Sequence, residues 1–282
     1  MSRRSSRWRI LSRVATRPRP WILRYLLHLL PAVLLAVPIA GSMLGLFRYP
    51  LMAEAMRTRS LGDLLEITRV SDGEGFNTGL AALGWVAAFG LALLAWIPIQ
   101  VAGLWLEGGI LHTYAVDHRP DGRAFRSACG RTFGPFLVLA AGQSLAVGAI
   151  VGIAAVLEIV LDARIPGVRP AVAISAAALL VLGELARVVM VVSDDLNVLR
   201  ALRDTIRLVG SRLGDLALVI GASFGLHALL FSAQRAVGQA IPIPWWALSF
   251  FVLQGNQFLG TGVRLARQAG MVGLVRGEGS DG

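Results

Sequence analysis

Six long apolar stretches, Tyr25–Phe47, Leu80–Leu106, Phe136–Leu161, Ala171–Val192, Leu216–Phe231 and Trp245–Gly260, alternate along this chain with polar stretches that carry arginine. Each is near or above the ~17–25 apolar residues that cross a hydrocarbon core, the fifth being the shortest. The pattern predicts an all-α fold: a polytopic membrane helix bundle of about six transmembrane helices with cytoplasmic amphipathic helices. Composition agrees. Apolar residues make up 55% of the chain, charged ones 16%, and the mean hydropathy is +0.66. A soluble domain of this length would need a charged shell that is missing here. Every basic residue is arginine, which with abundant Ala, Gly and Val fits a GC-rich bacterial genome. The single Cys129 excludes an intramolecular disulfide.

The arginines orient the bundle. Residues 1–24 hold eight of them and no acidic residue, so the positive-inside rule puts this arm in the cytoplasm. Alternation then places 119–131, 193–215 and the tail from Arg264 inside, with 48–78, 162–170 and 232–244 outside. Of the 27 arginines, 19 fall inside and 7 outside, and Arg187 lies within the fourth span. Three regions follow: a basic cytoplasmic arm over 1–24, a six-helix membrane domain over 25–263 and a cytoplasmic tail over 264–282. The expected location is the bacterial inner membrane, with both termini cytoplasmic. The first apolar run exceeds a signal-peptide core of ~7–15 residues, and no convincing small-x-small cleavage site follows it, so it reads as a retained helix.

Three polar stretches read as helical. Across 194–216, Leu199, Leu202, Ile206, Val209 and Leu213 recur at spacings of three and four, forming one apolar stripe. Arg200, Arg203 and Arg207 flank it. Such a helix can lie in the headgroup layer with its guanidinium groups on lipid phosphates, or can pack as an extension of its own bundle. In the first polar loop Arg123 and Arg126 are the corresponding lipid-phosphate contacts. The N-terminal arm sets Trp8, Leu11 and Val14 among arginines, and the anionic inner leaflet is its expected partner rather than nucleic acid. Residues 61–70 suggest a short outer helix that ends in the turn Ser71-Asp72-Gly73.

The two larger inner loops resemble each other. Arg123-Ala124-Phe125-Arg126 precedes Phe133-Gly134 and the third span; Arg200-Ala201-Leu202-Arg203 precedes Leu213-Gly214 and the fifth, with three extra residues. Two readings stand: an internal repeat over 80–161 and 171–231, of the parallel kind found in transporters, or convergence of helix–basic loop–helix hairpins. Together with Gly108-Gly109-Ile110 and the exit Arg264-Leu265-Ala266, these residues give a bundle that resembles the six-helix membrane domains of bacteria, including the one attached to glycerophosphoryl diester phosphodiesterases. The resemblance implies architecture only. It covers no active site, and no catalytic residue carries over.

Ionisable groups at bilayer depth are costly, so each asks for a partner or a task. Glu184 and Arg187 stand three apart on one face of the fourth span and can pair with each other, as a structural pair or as a functional site. Gln143, His227, Gln254 and Asn256, with Ser144 and Gln257 nearby, are the candidate polar lining. Alternatively they are hydrogen-bonded glue between helices. The motifs Gly41-x3-Gly45, Gly148-x3-Gly152 and Gly221-x3-Gly225 would allow close helix approach. No phosphate loop, HExxH, GxSxG or zinc-type spacing occurs, so neither a catalytic set, a metal nor a cofactor is expected. The expectation is therefore a non-catalytic membrane protein: an accessory, scaffold or lipid-interacting subunit, with other membrane subunits as further partners. The alternative is a small-molecule or lipid transporter with a path along the fourth to sixth helices.

Overall fold

The computed structural model describes residues 17–29, 78–116, 120–160, 167–240 and 246–277. Among them every regular element is a helix: α1 (18–29), α2 (Thr78–Ala115), α3 (Gly122–Val160), α4 (Val168–Ser193), α5 (Val198–Ala240) and α6 (Trp246–Val275). Three stretches, α3, α4 and Val198–Val237 of α5, are long and apolar enough to cross a membrane. This is an all-helical membrane protein. The arginine-rich arm over 1–16, most of the first span, the outer segment over 61–70 and Gly41-x3-Gly45 lie outside the described residues.

The helices outrun the apolar stretches that announce them. α3 begins fourteen residues before Phe136, so Arg123-Ala124-Phe125-Arg126 is its first turn. Asp121 starts it, accepting the Ala124 N–H on its side chain at 2.6 Å and the Phe125 N–H on its backbone carbonyl at 3.0 Å. Asn197 does the same for α5, its side chain accepting the Arg200 N–H at 3.1 Å. Such caps satisfy amide donors that a helix cannot satisfy internally. α6 continues to Val275, so much of the stretch read as a tail is helix, with Leu265, Gln268, Ala269, Met271 and Val272 buried.

Pro98 and Pro135 sit inside α2 and α3 without ending either helix. The one kink in α5 falls at Arg212 (φ −131°, ψ 33°), just after Gly210-Ser211. Ser211 Oγ donates to Leu208 O at 3.2 Å there, and a Gly/Ser pair is a recognised cause of such bends. Arg212 then reaches the last turn of α6, donating to Leu274 O at 2.9 Å. Asp194 ends α4 in the left-handed region (φ 56°), a conformation that aspartate tolerates better than most residues, and ion-pairs with Arg131 of α3.

The chain divides into two compact units. The first joins Gly103–Ser223 to Arg264–Gly282 and to the chain start through Pro18; the second joins Arg19–Ala102 to Phe224–Val263. In the first unit the core comes from the last turns of α2, the first turns of α3, the second half of α4 and the end of α6. Tyr114, Phe136, Ile110, Leu185 and Met190 are fully buried there. Gly108 and Gly109 make this possible, because a Cβ at either would strike Thr132 or the Cys129 and Phe125 side chains of α3. Elsewhere these helices expose apolar surface: Leu145 and Ile159 of α3 are 76% and 77% exposed, as lipid-facing positions would be.

Small residues permit close approach at different places from those the motifs suggested. Gly148, Gly152, Gly221 and Gly225 face open space. The tight contacts are at Gly108, Gly109, Gly183, Gly262 and Gly270. In the second unit Gly262 lies against Trp21, whose ring stacks on Phe258 at 4.8 Å while Tyr25 meets Phe258 edge-on at 5.2 Å.

Candidate functional site

The densest polar construction is a buried charge network in the first unit. Glu107, about two turns before the end of α2, is 2% exposed, and both its carboxylate oxygens are engaged. Arg187 of α4 donates from Nη1 to Oε2 at 3.1 Å, and Gln268 of α6, fully buried, donates from Nε2 to Oε1 at 2.8 Å. Arg187 donates from Nη2 to Gln143 Oε1 at 2.8 Å, and Gln143 Nε2 donates to Leu179 O at 2.7 Å. Four helices, α2, α3, α4 and α6, are thereby tied at one point. Gly183 is required for it, since a Cβ there would occupy the space of the Gln143 amide.

A second pair lies beside the first. Glu184 of α4 is 6% exposed, and its Oε2 meets Arg267 Nη2 of α6 at 2.7 Å. Its other oxygen, Oε1, is buried with no hydrogen-bond donor. The expected pairing of Glu184 with Arg187 is not formed. Each reaches a different helix instead, because both side chains face the core, where Glu107 and Arg267 supply opposite charges. Burying one charge without a partner would cost far more than either pair gains, so the two pairs are interlocked requirements of the fold.

The candidate polar lining divides between the units. Gln143 belongs to the network just described, while Ser144 is exposed. His227, Gln254 and Asn256 belong to the second unit. There Gln254 accepts from Tyr25 Oη at 3.3 Å, Asn256 Nδ2 donates to Gln234 Oε1, and His227 sits half-buried against Gly260. These are helix-to-helix hydrogen bonds of the kind that contribute only ~0.6–2 kcal/mol each.

Three of the five residues of the arginine-flanked stripe on α5 point away from their own unit, while Leu202 and Val209 are half-buried. Leu199, Ile206 and Leu213 are 78%, 66% and 62% exposed, while Ala201 and Thr205 form the buried face about a quarter turn round the helix. Arg200, Arg203 and Arg207 are exposed on the far side of the stripe. Arg200 holds Asp195 at 2.6 Å and Arg207 approaches Asp204 at 3.7 Å, whereas Arg203 has no ion-pair partner among the described residues. On α3, Arg123 and Arg126 are exposed, and Arg126 Nε donates to Gly122 O at 3.3 Å.

Three participants in the network escaped the sequence reading: Glu107, Arg267 and Gln268. Glu107 carried a signal, being the only acidic residue between Glu74 and Asp117, set directly before a double glycine. Among the described residues no three His, Cys, Asp or Glu side chains gather as a metal site would need. Compared with known proteins, the chain matches no family model, no curated protein and no solved structure.

Proposed function

We propose that this is a non-catalytic protein of the bacterial inner membrane, with both termini cytoplasmic, that serves as a lipid-interacting scaffold or accessory subunit. The observation that carries the reading is the outward-facing apolar stripe of α5. Leu199, Ile206 and Leu213 gain nothing from their own unit, yet they stand beside three arginines at the end of a membrane-length helix. An apolar ridge flanked by guanidinium groups is the form that settles into an anionic headgroup layer, each arginine adding ~1 kcal/mol near such a surface.

The test is depth measurement in vesicles. Cys129 is the single cysteine, so Cys129→Ala provides a background for nitroxide labels at Leu199→Cys, Ile206→Cys and Arg203→Cys. Labels at 199 and 206 are expected to be accessible to oxygen and shielded from a water-soluble relaxant, more so in phosphatidylglycerol than in phosphatidylcholine vesicles. A label at 203 is expected at headgroup depth. Equal exposure of 199 and 206 to the aqueous relaxant in both vesicles would reject the reading.

A transport reading draws on one observation, the buried Glu184 Oε1 without a donor, because such an oxygen is available to a passing cation or proton. The remaining residues proposed to line a path, His227 and Gln254, are engaged in the second unit. The lipid reading therefore stands first.

A further inference from the structure

On α6, one turn before the network's Arg267, stands an arginine with no partner among the described residues. The network's two carboxylates, Glu107 and Glu184, meet Arg187 and Arg267, while Arg17 donates to the Thr113 and Val116 carbonyls at the end of α2. Arg187 is held by Glu107 and Gln143, and Arg267 by Glu184. Arg264, one turn before Arg267 on α6, is half-buried and makes no ion pair or hydrogen bond with any described residue. Its Nε is shut off from solvent and has no acceptor. A guanidinium in that position has lost part of its hydration and received no partner among the described residues in exchange, a cost that an anion at the site would offset.

Its place on the helix narrows the anion. In the sequence Arg264 follows the apolar stretch Trp245–Gly260 by four residues. It therefore stands where an apolar stretch gives way to a polar one. A guanidinium offers parallel N–H donors matched to phosphate oxygens. We propose that Arg264, with Arg267 one turn away, binds a phosphate group, supplied by an anionic lipid headgroup or by free phosphate. The lipid source rests on the membrane-surface reading above; the site itself does not depend on the α5 stripe.

The experiment uses the full chain in neutral dodecylmaltoside micelles, with thermal unfolding as the readout. Three additions are compared: dioleoylphosphatidylglycerol, dioleoylphosphatidylcholine and inorganic phosphate. Wild type is expected to gain stability with phosphatidylglycerol and not with phosphatidylcholine. Arg264→Gln should weaken that half-saturating concentration by about tenfold or more, the loss of one charge-assisted contact, and Arg264→Lys should retain part of it. In lipid-free micelles Arg264→Gln and Arg264→Met should unfold at or above the wild-type temperature, because the residue has no partner to lose. Stabilisation by inorganic phosphate that disappears in Arg264→Gln assigns the site to the free ion instead of the lipid. Equal stabilisation of wild type and Arg264→Gln, no stabilisation of wild type by either anion, or failure of both Arg264→Gln and Arg264→Met to fold would each overturn the proposal. Failure of the α5 reading would show only in the labels at 199 and 206, which this measurement does not involve.

Discussion

Glu107 and Glu184 are both almost wholly buried in the first unit, and each has an arginine from another helix, yet they are equipped differently. Glu107 has a donor on each oxygen, Arg187 on one and Gln268 on the other. Glu184 has Arg267 on Oε2 and nothing on Oε1. The first carboxylate has a donor on each oxygen, while the second retains an unused acceptor. The contrast separates a joint that holds four helices together from a group with chemistry to spare.

Replacing each glutamate by glutamine tests that contrast most sharply. At Glu107 an amide must point its NH2 at Arg187 or Gln268, setting donor against donor, and Arg187 loses its counter-charge. Glu107→Gln is expected to cost about 3–5 kcal/mol, as for a buried pair broken on one side. At Glu184 the amide oxygen can keep the Arg267 hydrogen bond while the NH2 takes the side where no donor stands. The counter-charge is lost, however, so Glu184→Gln should cost less than Glu107→Gln, about 2–3 kcal/mol. Denaturant unfolding in detergent measures both. Equal losses would show that the two carboxylates do the same work.

Gly183→Ala approaches the same joint from its packing. The new Cβ would displace the Gln143 amide, separating it from Arg187 and from Leu179 O while leaving the Glu107–Arg187 contact in place. The expected loss is about 1–3 kcal/mol, the usual result of overpacking and smaller than for Glu107→Gln. Adding Gln143→Ala, which clears that space, should recover part of it. A Gly183→Ala protein as stable as wild type would mean that Gln143 is not part of the joint.

These residues also show what the sequence could reveal. Apolar length and arginine placement made helices legible, because hydrophobic run length answers directly to bilayer thickness. They could not show that α6 extends well beyond its apolar run, since Leu265–Val272 burial depends on contacts with other helices, and the early start of α3 is set by the local Asp121 cap, which run length does not register. Glu184 and Arg187 were visible as ionisable residues in an apolar span. Their partners were not, because Glu107 and Arg267 each lie some 80 residues from the residue they engage, and i,i+3 spacing offered a nearer pairing. The repeat shows the same limit: Arg123 stands two residues after its cap and Arg200 three after its own, so the matching tetrapeptides are one residue out of step in their helices.

Asp195 supplies the exposed counterpart to both buried carboxylates and the smallest expected effect. It sits between α4 and α5, accepting the Asn197 backbone N–H at 3.0 Å on Oδ1 and Arg200 Nη1 at 2.6 Å on Oδ2. That backbone donor first, and Arg200 second, hold its carboxyl below the ordinary aspartate value of 3.8. A depressed carboxyl stabilises the folded state above its unfolded value, and the contribution is lost as pH falls through the lower, folded value. Asp195→Asn should therefore change stability slightly and uniformly at neutral pH, and the difference from wild type should shrink only below about pH 3.8, where salt will already have screened much of it. Unfolding curves of the two proteins from pH 7 to pH 3 measure this. If Asp195→Asn were as damaging as Glu107→Gln, then burial would not be what makes the Glu107 joint strong, because Asp195 has two donors as well and differs chiefly in standing in water.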